Sequence, residues 1–256
     1  MSKLLLTIDV GNTHTAVGVF RETSLINSWR LSSKLERTSD ELWLLIESCL
    51  NSASINRREI SDFGISSVVP ALTEMYCALA QDRFGLKAVV VSADTIPKIL
   101  IDYRPPSAVG ADRLCSAVAG FRKYGGPLIV IDLGTATVFD VIGKDGTYLG
   151  GLIAPGLNTA VDSLHTMTAA LPRVELSFPE QVVGKSTIES IQSGVLYGAI
   201  EMIDGVVRRI KETLGGSATV IATGGFSGLL MPRSASIEHI EPNLVLEGIR
   251  LVVESQ

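Results

Sequence analysis

Two stretches of the chain, far apart, have nearly the same text. Leu6-Thr7-Ile8-Asp9-Val10-Gly11-Asn12-Thr13 near the N-terminus returns at mid-chain as Val130-Ile131-Asp132-Leu133-Gly134-Thr135-Ala136-Thr137. Each copy is an apolar run ending in Asp-x-Gly, then small hydroxyl or amide residues, then a second apolar run. Such a pattern reads as a buried strand, a tight glycine turn and a returning strand. A chain that carries this unit twice is constrained to two related halves. Two such hairpins facing one another would set two carboxylates and two glycine turns around one polyphosphate, which points to ATP.

The surrounding pattern repeats as well. Leu4–Val10, Thr15–Phe20 and Ser24–Leu31 read as three strands. Ser39-Asp40-Glu41 reads as an N-cap opening a helix to about Leu50. Phe63–Val69 is a strand, Pro70 opens a helix to about Phe84, and Ala88–Val91 is a further strand. After Tyr103-Arg104-Pro105-Pro106 comes a helix, Ala111–Tyr124, stopped by Gly125-Gly126-Pro127. Three strands follow again, Leu128–Leu133, Ala136–Ile142 and Thr147–Ile153, with Asp145-Gly146 as a hairpin turn. Helices at about Leu157–Leu171 and Thr187–Leu214, a strand Ala218–Ala222 and a closing helix Asn243–Val253 complete the pattern. This is an α/β chain built by internal duplication. The expected domains are 1–106, with the first turn, and 107–256, with the second.

Composition narrows the function. At 256 residues, with 46% hydrophobic and 19% charged residues, the chain can fill two ordinary globular cores. A net charge of -5 without a basic run argues against a nucleic-acid partner. Cys49, Cys77 and Cys115 are odd in number and lie in apolar context, which reads as thiols in a reducing compartment. No apolar stretch reaches the roughly 20 residues of a membrane span, and the N-terminus lacks a signal-peptide layout. A cytoplasmic protein without a membrane partner is expected.

Three glycine-bearing elements carry the chemistry. In the first turn, Gly11 lets backbone approach a phosphate, and Asn12 and Thr13 add donors. Asp9 at the strand end is placed to hold Mg²⁺, directly or through water. His14 is either a phosphate donor or a strand-surface histidine. In the second turn Thr135 is the phosphate donor and Asp132 can take a second cation role. Two acidic strand ends near one triphosphate need cations between them. The third element, Val220-Ile221-Ala222-Thr223-Gly224-Gly225-Phe226, ends a strand in Gly-Gly, an open surface for an adenine ring. Gly184-Lys185-Ser186-Thr187 imitates the end of a Walker A loop, but Pro179 stands where its first glycine belongs. The acceptor site is best sought at Gly110-Ala111-Asp112-Arg113. Asp112 would begin a helix and orient or deprotonate a hydroxyl, and Arg113 could fork onto a substrate carboxylate. The alternative there is a helix N-terminal Asp with a surface Arg. His14, His165 and His239 are too scattered for a zinc site.

The two turns and the later Gly-Gly resemble the actin, heat-shock chaperone and sugar kinase superfamily. That resemblance implies a duplicated ribonuclease-H-like fold, two mixed-sheet domains flanking an ATP cleft. A narrower match follows from Asp9 through Thr13, Val109-Gly110-Ala111-Asp112-Arg113 and Asp132 through Thr137. It extends through Gly150-Gly151-Leu152-Ile153-Ala154-Pro155-Gly156, Ala170-Leu171-Pro172, Val183 through Thr187 and Ala222-Thr223-Gly224-Gly225. This ordered set is similar to type III pantothenate kinase over almost the whole chain. The resemblance implies ATP-dependent phosphorylation of pantothenate to 4′-phosphopantothenate, the first step of coenzyme A biosynthesis.

It also implies roles. Asp9, Val10, Gly11, Asn12, Thr13, His14, Thr15 and Ala16 would form the ATP-phosphate loop, with Thr135, Gly224 and Gly225 also binding ATP. Asp112 would be the base. Tyr103, Gly110, Ala111, Asp112, Arg113 and Thr187 would bind pantothenate. Asp132 would hold a monovalent cation, K⁺ or NH₄⁺, and Mg²⁺ would accompany ATP. The family is dimeric, with the substrate site at the subunit interface. Readings of other classes are an actin-like or chaperone-like ATPase, for whose extra subdomains the chain has no obvious room, an accessory regulator of the same family, and a kinase of another small hydroxy acid or sugar.

Overall fold

Leu4–Val10 is buried on both faces, apart from half-buried Asp9, because it runs through the middle of a covered sheet. The structure is a computed structural model describing residues 3–97 and 99–256. In chain order it begins with β1 (Leu4–Val10), β2 (His14–Arg21), β3 (Ser24–Ser32), α1 (Ser39–Ser52), β4 (Ile60–Ser67), α2 (Pro70–Leu79), β5 (Val89–Val90) and α3 (Ala111–Tyr124). It continues with β6 (Leu128–Leu133), β7 (Ala136–Ile142), β8 (Tyr148–Pro155), α4 (Leu157–Met167) and α5 (Thr187–Thr213). Then come β9 (Thr219–Thr223), α6 (Ser227–Leu230), β10 (His239–Ile240) and α7 (Leu244–Glu254).

One sheet has the order β3-β2-β1-β4-β5, the other β8-β7-β6-β9-β10. In each, the first three strands pair antiparallel and the last two join in parallel. The duplication seen in the sequence is therefore a duplication of topology, two mixed five-stranded sheets of the ribonuclease-H-like kind. The copies differ at the turn. Asp9 pairs with Ala16, whereas Asp132 pairs with Val138, so the second turn is one residue tighter.

The chain forms two compact units, one of residues up to Arg122 with Asn243–Gln256, the other Lys123–Pro242. This differs from a division at 106/107. α3 belongs with the first unit for most of its length, and α7 lies over β1 and β4. Leu244, Leu246, Ile249 and Val252 of α7 are buried there. On its other face the first sheet packs Leu6, Ile8, Ile46, Phe63 and Tyr76 into one core. The second unit buries Ile129, Ile131, Phe139, Leu196, Ile203 and Val220 likewise.

Several boundaries move for local reasons. Thr38, not Ser39, caps α1: its Oγ1 accepts from Glu41 N–H and Glu41 returns to Thr38 N–H, a capping box. β4 stops at Ser67 because Ser67 Oγ accepts from Val69 N–H at 3.1 Å and turns the chain. α2 gives way to a π-type turn at Ala80–Phe84, closed by Gly85 at φ 70°. α4 ends at Met167, where Thr168 is extended. The two-residue β10, too short for a period to show, was not expected from the sequence.

Candidate active site

The first turn is held from below and open above. Gly11 N–H donates to His14 O at 3.0 Å, and Ser33 N–H donates to Thr13 O at 2.9 Å. Thr15 is buried, hydrogen-bonded to Ser33 Oγ at 2.8 Å and to Tyr76, whose hydroxyl burial pushes up to about 12. Asn12, Thr13 and His14 are exposed, as a ligand-facing turn requires. Val10 and Thr15 point into the core, so their contact with any ligand falls to the main chain. Partial desolvation, with the Arg30 guanidinium nearby, lowers His14 from its ordinary value, leaving a neutral imidazole at pH 7. Asp9 is half-buried at the end of β1, and Ser66 Oγ donates to its Oδ1 at 3.0 Å.

The same unit carries the start of α3. Leu114 N–H donates to Gly110 O at 3.1 Å, closing the first turn over Asp112. The Asp112 carboxylate accepts from Arg113 N–H at 2.8 Å and folds back over Gly110, where an added Cβ would lie 2.5 Å from Oδ1. Burial pushes the carboxyl upward, and the Arg113 N–H and charge oppose that shift. The Arg113 guanidinium stands 6.0 Å from the centre of the Tyr103 ring. One turn further on, the wholly buried Cys115 lies near Ser66 and feels the charges of both Asp9 and Asp112. A cavity of about 310 Å³ opens beside Gly110 and Ala111, lined also by Ser67, Val68, Ser92 and Asp94. The first unit thus gathers Asp9–Ala16, Tyr103 and Gly110–Arg113.

The second unit gathers Asp132, Thr135, Gly224 and Gly225. Gly134 N–H donates to Ala136 O at 3.0 Å, and Thr135 is exposed at the tip. Thr159 Oγ1 donates to Thr135 O at 2.7 Å, and Phe226 N–H donates to Leu133 O at 3.1 Å. Gly224 has φ +86°, and a Cβ there would collide with Asp132 Oδ1 and the Leu133 backbone. The Gly-Gly element, more than ninety residues from the second acid in sequence, is its packing neighbour. Thr187 opens α5 behind the Ser186 cap, exposed beside Ile188. Ser66 and Thr159 were not singled out from the sequence, and Cys115 was read there only as a thiol in apolar context. The only trace of Ser66 there is a polar pair ending an apolar strand.

Residues 5–209 match the family model described as type III pantothenate kinase. The type III pantothenate kinase of Moorella thermoacetica is 40% identical over 251 residues, 98% of this chain and 99% of that protein. Among solved structures, component A of the (R)-2-hydroxyglutaryl-CoA dehydratase of Acidaminococcus fermentans has a TM-score of 0.57 at 14% identity. It covers 98% of this chain and 96% of that one. The ROK hexokinase of Thermus thermophilus has a TM-score of 0.52 at 11% identity, with 98% of each chain covered. These two likenesses speak to the fold alone.

Proposed function

The chain belongs to the type III pantothenate kinase family, and from that premise we propose how its residues carry the reaction. ATP phosphorylates the primary hydroxyl of pantothenate, giving ADP and 4′-phosphopantothenate, the first step of coenzyme A biosynthesis. Asp112 takes the hydroxyl proton. The observation that carries this role is its setting: a carboxylate whose proton affinity is raised by burial, fixed at the opening turn of α3 beside Gly110. A carboxylate whose proton affinity is raised is the stronger base. Gly110, Ala111, Arg113, Tyr103 and Thr187 bind pantothenate, with Arg113 on its carboxylate. Asp9 through Ala16, Thr135, Gly224 and Gly225 bind ATP. Phosphoryl transfer needs little covalent help from the protein, so positioning and charge carry the rate.

Among the described residues no three His, Cys, Asp or Glu cluster as a metal cage. Mg²⁺ brought by ATP needs only one or two protein carboxylates, and half-buried Asp9 at a strand end fits that demand. Asp132 and the Thr135 turn supply the oxygen donors that K⁺ or NH₄⁺ takes. When bound, these cations would offset the phosphate charge.

A homodimer with the substrate site at its interface is part of the proposal. Supporting it, the second unit exposes Ile153 (66%), Met167 (82%), Val182, Val183 (70%) and Ile188. A cytoplasmic location is in keeping with three free thiols. Among the described residues no helix is long and apolar enough to cross a membrane.

The test is ADP release from purified protein with Mg-ATP and pantothenate, in potassium or in sodium alone. Release that needs both pantothenate and potassium is expected. Folded, ATP-binding protein without pantothenate-dependent release would refute the kinase reading.

A further inference from the structure

Parallel pairing of β1 with β4 sets Ser66 beside Asp9. Ser66 has no exposed surface, and a hydroxyl buried there is costly unless it serves a partner. Its partner is Asp9, whose Oδ1 accepts from Ser66 Oγ at 3.0 Å. A hydroxyl has one proton to give. That proton is committed to Asp9. Cys115 lies three residues after Asp112 on α3, on the same helix face. Buried Cys115 also lies close to Ser66, which puts α3 behind this pair.

We propose that Ser66 is a positioning residue for phosphoryl transfer, fixing the Asp9 carboxylate for the phosphate-bound cation. The terminal torsion of an aspartate is soft and roughly two-fold. A directed donor on Oδ1 therefore biases that torsion and takes up one of the oxygen lone pairs. The proposal rests on the reading of Asp9 given above.

Calorimetric titration with ADP, with Mg²⁺ and in its absence, tests the proposal on Ser66→Ala, Asp9→Asn and the double variant, with melting curves alongside. Ser66→Ala is expected to weaken Mg-ADP binding about tenfold. Binding of metal-free ADP stays within about twofold, and Ser66→Ala has no further effect in the Asp9→Asn background. Equal loss in both backgrounds, or unchanged Mg-ADP affinity in folded Ser66→Ala, would overturn it. If Ser66→Ala melts far below the parent, Ser66→Cys takes its place, keeping nearly the same size with a weaker donor. Parental Mg-ADP affinity in that variant would equally overturn the proposal. Parental Mg-ADP affinity in Asp9→Asn would instead sink the reading of Asp9, and the Ser66 role with it.

Discussion

Burial raises the proton affinity of Asp112, with opposite consequences for catalysis and for stability. In the unfolded chain the carboxyl titrates in its ordinary range. Below that range both states hold the proton, and this group costs the fold nothing. As pH rises through the unfolded value, the folded protein loses stability, and the loss is complete above the raised folded value. Asp112→Asn should therefore melt at or above the parent at pH 7, the gap narrowing toward about pH 4. The same variant should lose about 10²–10⁴-fold in kcat. A variant that melts lower at pH 7 and keeps its activity would contradict both halves. Arg113 offers a second contrast. A guanidinium over Tyr103 is a planar fork, which an ammonium does not replace. Arg113→Lys should raise KM for pantothenate about tenfold and leave KM for ATP within about twofold, read from initial rates.

At the scale of elements, the two turns are braced differently. The first is braced by Ser33 just after β3 and by Tyr76 on α2, the second by Thr159 on α4 and Phe226 after β9. Gly224 is where β9 meets the second turn. Alanine there adopts a left-handed backbone at roughly 1–2 kcal/mol and must also displace Asp132 or Leu133. Gly224→Ala should lower stability in urea by at least that much and raise KM for ATP. The Thr38 cap makes a control. Thr38→Ala removes the donor-acceptor exchange with Glu41 at the start of α1, at about 1 kcal/mol, and should leave both KM values unchanged.

At the scale of the molecule, the exposed apolar side chains concentrate in the second unit, at β8, α4 and the segment leading into α5. If they form the dimer contact, Val183→Asp should sediment as a monomer with an unchanged circular dichroism spectrum. Loss of pantothenate turnover in that monomer would support a substrate site completed by the neighbouring subunit. A fully active monomer would place the whole site in one chain. Much of this level was legible from sequence: the doubled turn gave both sheets, and periodicity gave most of the helices. The unit boundary was not, because α7 joins the first sheet from the far end of the chain through side-chain packing that leaves no local pattern.

The sequence alone determined what is local and repetitive. Two Asp-x-Gly turns, the Gly-Ala-Asp-Arg helix start and the Gly-Gly strand end are each set by neighbours within a few residues. Glycine's freedom and the strand period act at that range. Tertiary structure decided what those motifs touch. It set Ser66 on Asp9 across a parallel strand pair and Cys115 beneath both carboxylates. It also drew Gly224 against Asp132 and raised Asp112 by burying it. Proton affinity and hydrogen-bond direction depend on the surroundings in space, and those surroundings come from residues dozens of positions away.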